Sequence, residues 1–320
     1  MIIIYFYIIL LMLILSTVAT YTWFALSRTP RVSGMSLYIT ARTGLELSLS
    51  PEDTAQWGSK VAFPDMVTDA APLRPVTWSE KDKMFYAAVY GIDGRLSGKW
   101  QALSDERNAN RDTYKYEGYY HCGTLYARTA EDVIVSLAQE PKTVEGLVGS
   151  GTYLIGMPVW SKDEVSHLNV GQGAENAVRI GIQVTYLTED NLPAERESLF
   201  FIYEPNSDVH TDGTTGYAVT PNIDDGAALI PADRLITQTH STWEEADPVQ
   251  KGVQIYTYGT FTTPTELFRL KAGEKVMIRL YIWLEGQDVD CTNAIRESQI
   301  LANIQFDAVS DPGSGLIPME

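Results

Sequence analysis

Apolar and polar residues alternate at every second position over many short runs of this chain, which is the pattern of β-strands with one buried face. The clearest runs are residues 177–187 and 275–285. In the first run, the alternation directs Val178 and Ile180 to the core and Arg179 to the opposite, solvated face. Both runs therefore predict half-buried strands of an antiparallel sheet.

Weaker alternation and turn signals place further strands around these two. Arg42-Thr43-Gly44 predicts a hairpin turn and Asp93-Gly94 another, because glycine and aspartate adopt the backbone angles of tight turns. The polar segment 204–248 predicts a long insertion, and a brief helical turn is expected at 292–297. The additional predicted strands are 36–41, 45–49, 84–90, 96–103, 119–128, 132–138, 152–159, 198–203, 252–261, 267–270 and 299–306.

Together these elements predict an all-β protein built as an antiparallel β-sandwich or jelly roll, preceded by an N-terminal hydrophobic helix. Beyond the apolar start, no run of ten residues has a helical period, and no repeat of a solenoid or propeller kind is present. The predicted division is a leader at 1–27, a sandwich domain at 28–310 and a loose tail at 311–320.

The leader is uncharged up to Arg28 and long enough to cross a bilayer. It is compatible with a retained membrane anchor and with a removed signal peptide, and the small residues around Ala19 would permit cleavage there. Arg28, Arg31 and Arg42 follow the leader, which taken literally would hold the domain in the cytoplasm. Since long domains cross membranes largely regardless of nearby charge, we predict an extracytoplasmic domain.

The composition limits the classes of partner that the protein can bind and the covalent bonds that its cysteines can form. The chain has 24 lysine and arginine residues against 41 aspartate and glutamate residues, a formal net charge of -17. Such a surface repels phosphate backbones, which argues against nucleic-acid binding. Cys122 and Cys291 are the two cysteines, and they are compatible with one disulfide of an exported protein or with two small buried side chains.

Few residues fit a catalytic pattern. His121, His167, His210 and His240 are scattered, without the spacing of a zinc protease, and no Gly-x-Ser-x-Gly motif is present. A surface hydrolase would need a pair of carboxylates facing a cleft, which sequence alone does not identify.

Two acidic segments are candidates for cation binding, because hard cations are bound by clustered oxygen atoms. Asp208 and Asp212, with Asp224 or Asp225, would form a loose calcium site, and the acids at 285–290 would form a second. A solvated loop for the first segment and a plain turn for the second are the favoured alternatives. Calcium is the single cofactor that the sequence suggests.

Tyr281 and Trp283 alternate with apolar residues and are predicted to be exposed on their strand. Exposed aromatic rings can stack on sugar rings, which supports a carbohydrate-binding module as an alternative function. Cross-strand packing of the two rings is the structural alternative.

The segment Ala19-Thr20-Tyr21-Thr22-Trp23-Phe24, directly after a hydrophobic leader, resembles the export signal of the TasA/camelysin group of Firmicute surface proteins. The segment 282–291 is similar to a stretch near the end of uncharacterised clostridial proteins with such leaders. The resemblance implies a jelly-roll protein exported to the cell surface, in some relatives assembled into biofilm fibres by strand exchange. The protease activity ascribed to camelysin relatives finds no support in these histidines.

The leading hypothesis is therefore a non-enzymatic surface or matrix protein of a Gram-positive bacterium, anchored or secreted. It would meet the membrane through its leader, and other surface proteins or copies of itself through an exposed sheet edge. A carbohydrate-binding module and a surface hydrolase are the alternatives.

Overall fold

The computed structural model confirms an all-β protein. It describes residues 32–42, 44–61, 73–90, 96–103, 118–139, 143–145, 150–156, 174–209, 232–245, 254–288, 290–291 and 298–311, with Tyr5 and Met12. Across these ranges no helix combines the length and the hydropathy required to cross a bilayer. The predictions for the rest of the leader, for Ala19, for the helical turn at 292–297 and for the tail after Asp311 lie outside the described residues.

Eighteen strands and one short helix follow each other along the described chain. They are β1 (Val32–Ala41), β2 (Leu45–Ser48), β3 (Lys60–Val61), β4 (Pro75–Ser79), β5 (Met84–Tyr90), β6 (Leu96–Ala102), β7 (Tyr120–Thr129), β8 (Val133–Leu137), β9 (Thr143–Glu145), β10 (Tyr153–Gly156), α1 (Ala174–Ala177), β11 (Val178–Tyr186), β12 (Leu199–Glu204), β13 (Leu235–Thr237), β14 (Thr242–Glu245), β15 (Gln254–Thr257), β16 (Glu266–Leu270), β17 (Lys275–Glu285) and β18 (Ser298–Ser310). A 3-10 turn at Ala232–Arg234 precedes β13. The described part of the predicted insertion 204–248 thus contains β13 and β14.

The strands form three sheets. The first sheet has the order β16-β8-β18-β1-β3, with β10 beside β18, and the second has the order β13-β12-β11-β17-β4-β5-β6, with β7 joining β17 to β2. The third is β14-β15-β9. The pairs β1–β18, β12–β13 and β17–β4 are parallel, so the prediction of a purely antiparallel sandwich was wrong. Parallel neighbours need a long connection, and nearly the whole chain lies between β1 and β18.

The predicted hairpin around residues 42–44 is also wrong. β1 pairs with β18 in the first sheet, whereas β2 pairs with β7 in the second. Gly44 has a φ of 76°, which lets the chain turn sharply from one sheet to the other. Leu37 of β1 and Leu47 of β2 then enter the same core.

The main core fills the space between the first and second sheets. Its side chains come from alternate positions of the strands, as the sequence predicts for 177–187, 275–285 and 299–306. It includes Leu37, Ile39, Leu47, Leu125, Val135, Val178, Ile180, Ile182, Val184, Ile278, Leu280, Ile282, Ile304 and Phe306.

A second core covers the opposite face of the second sheet. β4 continues this sheet from the end of β17, and β5 and β6 follow it. Trp78 stacks on Phe200 with ring centroids 4.2 Å apart, and Phe85 meets Trp283 edge-on at 5.2 Å. The prediction that this face of β11 and β17 is wet was therefore wrong, because a distant part of the chain folds over it.

The margins of the two large sheets are linked to each other. On one side, Gln238 bridges to Phe261, and Thr262 N donates to Thr237 O at 2.8 Å. On the other side, Leu47 bridges to Gly58 directly before β3. Backbone hydrogen bonds thus connect the margins of the two large sheets on both sides.

Replacement of Gly259 by alanine should lower the free energy of unfolding by about 3 kcal/mol or more, because a Cβ there would lie 1.7 Å from the backbone oxygen of Thr239. Gly58→Ala is the matched control, since no atom lies within 4 Å of its Cβ position. Urea denaturation of both variants measures the difference. Equal midpoints for the two variants would contradict the close approach.

Candidate functional site: a buried arginine and carboxylate network

A buried ion pair network lies at one end of the second core. Strand alternation places Arg179 of β11, Glu204 of β12 and Glu285 of β17 on the same face as Trp283, because Arg179 is directly opposite Trp283 in the sheet. The side chain of Arg179 is 0% exposed. A buried guanidinium is costly unless carboxylates and other acceptors surround it.

The acceptors of Arg179 come from three parts of the chain. Nη2 donates to Glu204 Oε1 at 3.0 Å and to Asp288 Oδ2 at 2.5 Å. Nη1 donates to the backbone oxygens of Asn176 at 2.6 Å and Val178 at 3.0 Å. Burial alone would lower the pKa of Arg179, but Glu204, Asp288 and Glu285 outweigh it and raise the pKa. The guanidinium is therefore permanently charged.

Glu285 is the member of the network at the end of β17. Its Oε2 accepts from Trp283 Nε1 at 3.1 Å, and its Oε1 accepts from Gln287 N at 3.2 Å. Burial raises the pKa of Glu285 to about 8, although these hydrogen bonds and Arg179 act in the opposite direction. Glu285 is therefore mainly protonated at neutral pH, and Glu204 and Asp288 are the carboxylates that face the guanidinium directly.

The turn after β17 is organised by the same acids. Asp288 Oδ1 accepts from Asp290 N at 2.9 Å, and Asp290 Oδ2 accepts from Asn176 Nδ2 at 3.1 Å. Burial raises the pKa of Cys291, which follows this turn, well above its usual value, so its thiol stays protonated at neutral pH. The network thus joins α1, β11, β12 and the end of β17.

This arrangement bears on the segment 285–290, for which the sequence left cation binding and a plain turn as alternatives. The cation between these acids is the guanidinium of Arg179, which sequence reasoning had assigned to the solvated face. The sequence did contain a signal for this network. A charged residue lies between Val178 and Ile180, and an acid lies at or directly after the end of two other predicted strands. Within the described ranges, no group of three or more metal-ligating side chains is assembled.

Asp208 is the described member of the predicted calcium site, and its carboxylate is hydrogen-bonded to His240. Its Oδ1 accepts from His240 N at 2.6 Å, and its Oδ2 lies 2.9 Å from His240 Nδ1. Hydrogen bonding to His240 lowers the pKa of Asp208 against the opposing effect of burial. Asp212, Asp224 and Asp225 lie outside the described residues.

The predicted sugar-binding pair is not exposed as expected. Trp283 is 0% exposed inside the second core, and Tyr281 is half-buried with its hydroxyl donating to Gln183 Oε1 at 3.1 Å. A ring that is covered on both faces has no surface for a sugar. The expectation that Trp283 is exposed was wrong, because β4 and β5 cover the strand face on which it lies.

No disulfide joins Cys122 to Cys291. Cys122 packs against the second core, whereas Cys291 packs against the main core. The second sheet lies between these two cores, so of the two alternatives that the sequence leaves open the structure shows two separate packing side chains.

Comparison with protein-family models, curated proteins and solved structures finds no match for this chain. The resemblance to the TasA/camelysin group stays a prediction.

Proposed function

We propose that the chain is a non-enzymatic, exported protein of a bacterial cell surface or matrix, with a jelly-roll sandwich that acts through protein–protein contacts. The observation that carries this proposal is the outer edge of β1. β18 pairs with β1 from Val32 to Ala41, but on its other edge β3 covers only Ile39 and Thr40. Among the described strands, none covers the outer edge of residues 32–38.

The direction of the backbone groups supports an interaction at this edge. Ala41 N donates outward to Ser59 O at 2.8 Å, and Arg42 N donates inward to Phe306 O at 3.0 Å. Because successive amides of a strand point to opposite sides, the amide of Met35 points outward. An open strand edge is a template for another strand. The leader supports export but leaves anchor and secretion as alternatives.

A proline substitution tests whether the outward N–H group of Met35 takes part in assembly. Met35→Pro removes an outward N–H group while the amides that face β18 remain, whereas Met35→Ala keeps the group and serves as the control. We expect the wild-type full chain, solubilised in mild detergent, and Met35→Ala to form oligomers or fibres, and Met35→Pro to reduce them at least about tenfold. Chromatography with light scattering and electron microscopy would measure this. Wild-type monomers at all salt concentrations and pH values would contradict the proposal.

A further inference from the structure

Lys275, Asn191 and Asp53 meet at the end of the sandwich opposite to the arginine network. Lys275 Nζ donates to Asn191 Oδ1 at 3.1 Å and lies 2.8 Å from Asp53 Oδ1. We infer that Lys275 and Asn191 form an intramolecular isopeptide bond, with Asp53 as the proton acceptor. The inference concerns covalent chemistry within one molecule and depends on neither export nor assembly.

The backbone holds the amine and the carboxamide in place. Leu187 N donates to Lys275 O at 3.0 Å, which continues the pairing of β11 with β17 to the position of Lys275. Asn191 lies in the turn after β11, where its N donates to Thr188 O at 2.9 Å and its φ is 60°. An amine fixed against its electrophile reacts as if at very high concentration.

The surroundings of Lys275 restrict its side chain to this position. Its side chain is 13% exposed, and Nζ also donates to the backbone oxygen of Pro51 at 2.9 Å. All three contacts converge on the Nζ atom that would attack. Asp53 is itself 79% exposed, so it is the hydrogen bonds to Pro51 and Asn191, together with burial of the lysine stem, that hold Lys275 in place.

Asp53 is the proton acceptor nearest to the amine; because its pKa is lowered, it relays protons rather than retaining them. A general base must lie within about 2.6–3.2 Å of the proton that it takes, and the distance of 2.8 Å meets this condition. The hydrogen bond from Lys275 lowers the pKa of Asp53, with a further contribution from Arg128 3.6 Å away, so Asp53 is a carboxylate at neutral pH.

The reaction balances without another reagent. Nζ of Lys275 bonds to Cγ of Asn191, and the bond from Cγ to Nδ2 breaks. The lysine ammonium gives up two protons, which Asp53 passes to the departing Nδ2 nitrogen, and this nitrogen leaves as ammonium. The ammonium leaves directly into solvent from the partly exposed turn that carries Asn191, and a cavity of about 620 Å³ lies against Asp53, Gly273 and Lys275 on the side of the amine. Since the amine must lose a proton before it attacks, bond formation should speed up as the pH rises.

Mass spectrometry of the full chain tests the inference. We expect tryptic digestion to release a branched peptide that joins the segments around Asn191 and Lys275, lighter by one ammonia than the sum of its parts. Trypsin should not cleave after Lys275, because its amine is acylated. Linear peptides alone, after prolonged incubation at neutral and alkaline pH, would overturn the inference.

Four variants separate the chemistry from folding. Asn191→Gly removes the carboxamide and permits the positive φ, and Lys275→Arg keeps the charge without a nucleophilic amine, so both should lose the branched peptide completely. Asp53→Asn should slow its formation by about 100-fold or more. Asp190→Asn, in the same turn, should form it at the wild-type rate. A branched peptide that persists in Asn191→Gly would overturn the assignment.

Discussion

Replacement of Arg179 by methionine is expected to lower the free energy of unfolding by about 3–5 kcal/mol, the usual cost of removing one partner of a buried ion pair. Glu204 and Asp288 would remain buried on the second core without the guanidinium that lies 3.0 and 2.5 Å from them. Urea denaturation followed by tryptophan fluorescence would measure the change, because Trp283 lies in the same core.

Two further variants identify the cause of this loss. The triple variant Arg179→Met, Glu204→Gln, Asp288→Asn removes the unpaired charges together and should recover most of the stability. Arg269→Met is the matched control, because Arg269 is 55% exposed in its pairs with Glu266 and Asp311, and such pairs contribute about 0–1 kcal/mol. If Arg179→Met cost no more than Arg269→Met, the network would not stabilise the fold.

The second large effect is a pH dependence that originates at Glu285. Its pKa is about 8 in the folded protein and 4.5 as the ordinary value, so the folded state binds this proton more tightly than the unfolded state does. The contribution of Glu285 to stability is therefore complete below pH 4.5 and is lost progressively as the pH rises to about 8.

Glu285→Gln isolates this contribution, because glutamine cannot titrate but can still accept from Trp283. The free energy of unfolding of the variant should rise relative to that of the wild type by up to about 1.4 kcal/mol per pH unit inside this window, and the difference should stay constant above it. Glu266→Gln, on the exposed margin of β16, controls for the change in charge. Parallel curves for wild type and Glu285→Gln from pH 4.5 to 8 would show that Glu285 is not the origin.

The local sequence pattern predicted the bounds of individual strands well, but it predicted poorly which strands pair with each other. Residues 177–187 and 275–285 were predicted nearly to the observed bounds of β11 and β17, because alternation is a property of consecutive residues. The pairing of β1 with β18 was not predictable in this way, since it joins residues more than 260 positions apart. The residues of a turn such as 42–44 give the same sequence signal in two cases. The chain can turn back within one sheet, or it can cross to another sheet.

At the candidate site, too, local features were predicted and long-range contacts were not. The acids at 285–290 could be recognised as a cluster, with cation binding or a plain turn as alternatives, but Arg179 was placed on a wet face and not among them. Tyr281 and Trp283 were misjudged for the same reason. One missing fact, that β4 to β6 cover this face, accounts for both errors.

By itself, the sequence determined the all-β class, the alternation of residue types along the strands, the negative net charge and the apolar N-terminal stretch, because these properties depend on residue types and their local order. Only the tertiary structure decided which faces are buried, which charges meet and which amine touches which amide. Burial and electrostatic interaction depend on what lies across a distance of a few ångströms, and in this protein those neighbours come from distant parts of the chain.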